Sequence, residues 1–289
     1  ISVLATAIAN IALPAIAQDL NVSPAMSVWV VNSYQLAVTV SLLPLSSLGD
    51  IYGYRRVYTL GLAVFTVASL ICAVSWSLPT LTAARVLQGL GASGMMSVNT
   101  ALVRFIYPRR MLGRGVGVNA MVVAVSTALG PTAAAGILSV ADWPLLFAVN
   151  VPLGLVAVTL AVRVLPDTPR ALHRFDWLSG LLNAAAFGLL VFGIGEIAHS
   201  ASRFVILLVL AGAALAGAVL VRRQRSFAAP MLPLDLYRRP MFALSSLTSV
   251  CSFAAQGLAF VSIPFYFQTV LGRNAVETGL LLTSWPVVT

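Results

Sequence analysis

Between two apolar runs of membrane length, Ser46–Arg56 reads SSLGDIYGYRR. It places the carboxylate of Asp50 within six residues of Arg55 and Arg56, with Gly53 between them. A carboxylate and a guanidinium this close can pair, and such charge-assisted bonds at helix ends can be made and broken as helices move. Charge is costly in hydrocarbon, so the segment belongs at a water-facing helix junction, as a moving part or as a fixed topological anchor. A second loaded segment is LTAARVLQGLGASG, where Gln88 and Gly89 follow Arg85 at i+3 and i+4. Arg85 lies about six residues, roughly 9 Å, inside the outer end of its run. Its guanidinium cannot shed its proton, so it faces an internal partner or cavity, or else stretches out to the headgroups. In STALGPTAAAG, Pro131 after Gly130 removes a backbone hydrogen bond among small residues, which makes a kink with close helix contact; such kinks are also common as plain structure. Ring faces attract flat cations, and Tyr34, Phe147, Phe253 and Phe260 lie at suitable depth. Gln35 and Gln256 are the amides that would need a buried partner. Trp29, Trp76 and Trp143 read as an interface belt.

The elements that carry these groups are membrane helices. The chain is 60% hydrophobic and 9% charged, with mean hydropathy +0.97, far from the soluble globular range. All seventeen basic residues are arginine, and the net charge is +9. An excess of this kind in a soluble protein would point to nucleic acid; here the arginines alternate with apolar spans, so membrane topology accounts for them and no nucleic acid is expected. Helices are expected near 1–17, 28–48, 57–76, 80–105, 115–139, 144–164, 177–197, 203–222 and 241–268, with a tenth starting near 278. Fourteen arginines fall in one set of connections (Arg55 and Arg56; Arg104 to Arg114; Arg163 to Arg174; Arg222 to Arg239) and two, Arg203 and Arg273, in the other. The positive-inside rule makes the richer set cytoplasmic, in the inner (plasma) membrane of a bacterial-type cell. Cys72 and Cys251 have no metal-ligand spacing and imply no disulfide, and the spans hold no catalytic Ser/His or Asp/Asp set. Neither an enzyme, a metal nor a cofactor is expected. Ile1 is not methionine, no cleavable signal opens the chain, and both ends lie in apolar runs, so the chain reads as part of a longer protein.

Three segments, in order, resemble signature motifs of the major facilitator superfamily of secondary transporters. Ser46–Arg56 is similar to the loop G-x-L-A-D-R-x-G-R-K, with Leu48, Asp50, Gly53 and Arg55 in place, and with Ser46, Ile51 and Tyr54 departing from it. Leu81–Ser93 is similar to the helix-four motif at Arg85, Gln88, Gly89 and Gly91; Ser126–Gly136 is similar to the helix-five antiporter motif at Gly130 and Pro131, with Ala134 and Ala135 replacing a glycine pair. ATAIANIALP at 5–14 resembles D-x-T-I-x-N-V-A-L-P, and DWPLLFAVNVPLG at 142–154 matches W-R-W-x-F-x-x-N-x-P-x-G at Asn150, Pro152 and Gly154. Both belong to the fourteen-helix drug:proton antiporter branch, which inserts a helix pair between two six-helix bundles. The resemblance implies an all-α polytopic fold of which this chain holds nine to ten helices. It implies a six-helix bundle over 1–164, an inserted pair over 165–222, a cytoplasmic loop over 223–240 and the start of a second bundle over 241–289.

The same resemblance implies roles. Asp50, Gly53, Arg55 and Arg56 would form a cytoplasmic gate, Arg85 and Gln88 a coupling or substrate relay, and Gly130-Pro131 a sealed interface. Tyr34, Gln35, Phe147, Gln256 and Phe260 are candidates for the substrate pocket. The expected activity is proton-coupled efflux of lipophilic, cationic drugs by alternating access, performed by a monomer in the bilayer. One departure bears on coupling: Ala5 stands where the family motif has its aspartate, and Ala7 where it has threonine. Glu196, beside His199, is the one substitute acid in the spans, and it reads better as a solvated cap. The coupling carboxylate then lies elsewhere in the protein, or the protein exports or facilitates a metabolite or siderophore without standard proton coupling. A transport-incompetent membrane sensor or scaffold is the reading of another class.

Overall fold

The computed structural model describes residues 2–171, 175–198, 202–225, 231, 235–272 and 281; the side chains of Pro131, Glu196 and Phe260 lie outside the described set. Among the described residues all regular structure is helical, the class that the apolar runs require, since a lipid-spanning backbone must satisfy its own hydrogen bonds. In order the helices are α1 (Ser2–Asp19), α2 (Pro24–Ser27), α3 (Trp29–Tyr52), α4 (Tyr54–Ala73), α5 (Leu78–Ile106) and α6 (Leu112–Leu138). There follow α7 (Pro144–Ala148), α8 (Asn150–Val164), α9 (Trp177–Ala198), α10 (Arg203–Gln224) and α11 (Pro240–Phe265), which passes into a π-turn at Tyr266–Val270. Five stretches are long and apolar enough to cross a membrane: Tyr54–Ala73, Arg109–Gly130, Pro144–Val164, Trp177–Gly195 and Arg203–Gln224.

Each of the nine helices expected from hydropathy has a counterpart, and the differences have local causes. The expected helix at 144–164 is broken at Val149 into α7 and α8. Pro152 has no N–H for the carbonyl of Ala148, four residues back, and its ring crowds that carbonyl. The expected start at 28 becomes a short helix, α2, capped by the Ser23 side chain on the Met26 N–H, before α3 begins at Trp29. α5 starts with a reciprocal capping box between Ser77 and Thr80 and carries Pro79 in its first turn. Helix α6 runs without interruption across Gly130 and Pro131. The tenth helix, expected from about 278, falls outside the described residues apart from Leu281.

Helix α5 packs along both α3 and α4, while α1 lies against α6 and α4 against α8. The α4–α5 contact is made backbone to backbone. A Cβ on Gly61 would stand 2.8 Å from the Gly91 carbonyl oxygen, and one on Gly91 would fall on the Phe65 backbone nitrogen. Small residues of this kind let membrane helices approach where no hydrophobic force drives them together.

The hairpin α9–α10 packs on α3 through α9, and one amide bonds across that contact. Pro44 lies inside α3 and cannot donate to the Val40 carbonyl; the Asn183 Nδ2 of α9 donates to that oxygen at 2.7 Å. At the hairpin's base Asp176 accepts from the Ser179 N–H and hydroxyl and forms a two-point ion pair with Arg223 at 3.0 and 3.1 Å. Hydrogen bonding from Arg223 foremost holds the Asp176 carboxyl below its usual range, against the opposing effect of burial.

Two outcomes follow from this packing. Gly91→Ala should destabilise the full-length protein in detergent by about 1–3 kcal/mol, read from thermal unfolding, because the methyl has only backbone to displace. Gly113→Ala, where nothing lies within 4 Å, is the control and should be neutral or slightly stabilising; equal effects of the two would refute the close seam. A carboxyl with a lowered folded pKa stabilises above its unfolded value of about 3.9 and loses that contribution as pH falls through the folded one. Protection of the amides in the first turn of α9, taken relative to their intrinsic exchange rates at each pH, should therefore fall below about pH 4, while in Asp176→Asn it is already low and does not change over that range.

Candidate functional site

Arg85 projects from α5 into the space enclosed by α3, α4 and α7 and is 0% exposed. It does not reach the headgroups. Its Nε donates to the Val30 carbonyl at 2.9 Å, and Nη1 donates to Gln88 Oε1 at 2.5 Å. The Gln88 amide passes the chain on, donating to Ser69 Oγ at 2.7 Å, and Ser69 donates to the Phe65 carbonyl. The guanidinium carbon lies 4.2 Å from the Tyr34 ring centroid and 5.7 Å from that of Phe147. Ring faces and carbonyl dipoles offset part of the cost of burying the ion. They do not neutralise it. Nη2 is buried without a partner, and among the described residues no carboxylate pairs with Arg85. A fixed positive charge in this setting stabilises any anion that approaches and lowers the pKa of an acid within about 4–6 Å.

Position 5 stands near this site without a titrating group. Ala5 is buried in an apolar cluster with Tyr34, Leu62, Phe65, Ala92 and Met95. Asp19 accepts from the Trp143 indole N–H at 2.8 Å, which places Trp143 in the interior and not in the interface belt expected of it. That bond joins the end of α1 to the entry of α7 and lets the indole bury its ring with its one donor satisfied.

The second group of candidates lies at the α3–α4 turn. Gly53 joins the two helices at φ 93°, a left-handed value that a side chain disfavours, and a Cβ there would approach the Thr168 hydroxyl at 3.3 Å. Asp50 and Arg55 do not bond to each other. Asp50 accepts from the Tyr54 hydroxyl at 2.5 Å, and Arg55 pairs with Asp167 at 2.9 Å and donates to the Val162 carbonyl. The segment after α8 lies across the turn: Thr168 Oγ1 accepts from the Tyr54 N–H at 2.9 Å, and the Ala171 N–H donates to the Asp50 carbonyl at 2.8 Å. Thr168 thus caps the start of α4 from another part of the chain. The turn is held by residues more than a hundred positions away, and Tyr54, Asp167 and Thr168 were missed from sequence. The dipeptide Asp167-Thr168, set between Pro166 and Pro169 on the arginine-rich side, was the available signal.

The other candidates are spread out. Tyr34 and Phe147 are closed around Arg85. Gln35 is exposed and lines a cavity of about 260 Å³ with Trp29 and Phe192. Gln256 and Phe253 are exposed on α11, Gly130 is buried in α6, and Arg56 is exposed one residue beyond Arg55. The side chains of Pro131 and Phe260 lie outside the described residues.

Comparisons with known proteins agree with this architecture. The chain is 56% identical over 290 residues to YebQ of Escherichia coli K12, an uncharacterized transporter, covering 100% of this chain and 64% of that protein. It is 30% identical to the riboflavin transporter RibZ of Clostridioides difficile, over 99% of this chain and 62% of the relative. It is 32% identical to the multidrug resistance protein Stp of Mycobacterium tuberculosis, over 95% and 52%. The chain thus spans about half to two-thirds of the length of these relatives. The sequence profile of the Major Facilitator Superfamily matches residues 1–289, end to end, and the chain belongs to that superfamily of membrane transporters.

Proposed function

We propose that the complete protein exports lipophilic, cationic compounds in exchange for protons, by alternating access in the bacterial inner membrane. The observation that carries this reading is the enclosed Arg85 guanidinium with an open Nη2. A carboxylate that pairs with such a cation must be ionised, and one that takes up a proton leaves it, so proton binding and conformation exchange against each other. With Ala5 in apolar surroundings, the carboxylate of that exchange would come from outside the part of the site described above. The bundle over 1–164 would rock as one body, with the turn at Asp50, Gly53 and Arg55 as its latch on the arginine-rich side. The sequence similarity to drug-resistance proteins, Stp among them, supports the substrate class.

A second reading is export or facilitation of a metabolite without proton coupling. It is favoured by Ala5 at the family's acidic position and by the similarity to a protein named as a riboflavin transporter.

The test is proton flux in inverted vesicles carrying the full-length protein, under an imposed pH gradient, with tetraphenylphosphonium and ethidium as probes. Proton release on adding a cation is the expected result, and Arg85→Gln should abolish it. Silence across the probes, with the protein shown to be folded and riboflavin exchange insensitive to pH, would transfer the assignment to the second reading. The latch makes its own prediction. Thr168→Val removes a buried acceptor at a helix start, a loss of about 1 kcal/mol, and should shift gate accessibility about fivefold. Asp167→Asn breaks a pair that is 87% exposed on the acid side, worth about 0.2–1 kcal/mol, and should shift it less. Maleimide labelling of Ser46→Cys in a background free of the native cysteines reads both; equal, negligible shifts would reduce the turn to an anchor.

A further inference from the structure

Where α9 lies beside α3, α4 and α5, a cavity of about 700 Å³ remains between them. Its body is aliphatic, built from residues such as Pro44, Leu48, Leu60, Gly91, Leu181 and Ala184. Leu60 and Leu181 are 65% and 67% exposed, so the cavity is continuous with the surface these helices turn outward. Its arginine-rich end has a different chemistry. Arg56, Tyr52, Phe175 and Trp177 line that mouth, and Arg56 is the one charged residue among the described residues lining the cavity.

We propose that this cavity holds an acyl chain of an anionic phospholipid from the surrounding bilayer, with the phosphate at Arg56. The inference does not depend on what the protein transports. Three independent features carry it. The first is charge: Arg55 and Arg56 both sit in the first turn of α4, where the helix dipole disfavours cations. Arg55 is answered by Asp167 and the Val162 carbonyl, whereas no described acid pairs with Arg56. An anion at the mouth supplies what is lacking, and among the described lining residues no carboxylate is present to favour a lipophilic cation in the same space. The second is depth: Trp177 opens a helix long and apolar enough to span the membrane and Tyr52 closes α3 beside it, the level at which aromatic residues meet lipid headgroups. The third is size, since the volume lies within the range of about 300–1,000 Å³ typical of ligand cavities.

Lipid tails and leucine side chains are equally apolar, so transfer of the chain from bilayer to cavity brings little selectivity. Discrimination must come from Arg56, and one basic residue near a membrane surface gives a preference of about fivefold. The experiment is native mass spectrometry of the full-length protein titrated with phosphatidylglycerol or phosphatidylcholine of identical chains. The wild type should retain phosphatidylglycerol about fivefold better. Arg56→Gln should retain the two lipids equally, and Ala184→Phe, which fills the cavity body, should retain less of both. Should Ala184→Phe fail to fold, bromine-labelled acyl chains provide the second measurement on otherwise native protein. Trp177 fluorescence, taken as the difference from Trp177→Phe, should then be quenched more by the phosphatidylglycerol. Equal retention of the two lipids by the wild type, an undiminished preference in Arg56→Gln, or displacement of the lipid by tetraphenylphosphonium would each overturn the proposal.

Discussion

A guanidinium enclosed by four helices and 0% exposed has to be answered nitrogen by nitrogen, because the group cannot discharge itself. Around Arg85 the answers come from four places: a carbonyl of α3, the Gln88 amide one turn along α5, the Ser69 hydroxyl behind that amide, and two aromatic faces. Each of these fixes an element. Val30 sets the depth of α3, Ser69 the rotation of α4, and Phe147 the position of the short helix before the Val149 break. One nitrogen remains open. The site is therefore complete as packing and incomplete as electrostatics, which is the condition a group needs if its partner is to change during a cycle.

The glycine seam between α4 and α5 serves the same site. Gly61, Gly91 and Gly94 bring the two backbones into contact two turns from Arg85, and the Gln88–Ser69 bond crosses the same interface. Close backbone approach and a buried polar chain on one seam leave these helices little freedom to slide. Gly53 differs: one positive-φ residue joins α3 to α4 there, and the holding bonds come from a mostly solvent-facing segment. The close-packed seam and the turn bonded to a distant segment are thus separated along a single helix, α4.

What was legible in the sequence follows from the range of each interaction. Hydropathy located every described long helix because the bilayer imposes a length on each one locally. The spacing of Arg85 and Gln88 was legible for the same reason: i and i+3 on one helix are neighbours whatever the rest of the chain does. Asp50 and Arg55 were found by type, but their partners were not. Thr168 and Asp167 are separated from the turn by the five helices α4 to α8, and nothing in a one-dimensional pattern encodes their meeting. Trp143 was assigned to the interface by residue type, and the acceptor that draws it inward, Asp19, lies 124 residues away. The cavity beside Arg56 depends on where the hairpin packs on α3, a contact that joins residues as far apart as Val40 and the amide of Asn183.

That amide has a mechanical consequence. Asn183 fills an acceptor that proline vacated, so it works as an indexing pin between hairpin and bundle. A residue inserted between Asp176 and Asn183 would turn the pin by about 100° and withdraw it, whereas extra length before Asp176 would leave the engagement untouched. The hairpin's tether can therefore drift in length while the phase of α9 is locked. Any bending of α3 at Pro44 would open the distance that the pin spans, and the hairpin would feel it as a pull at one point.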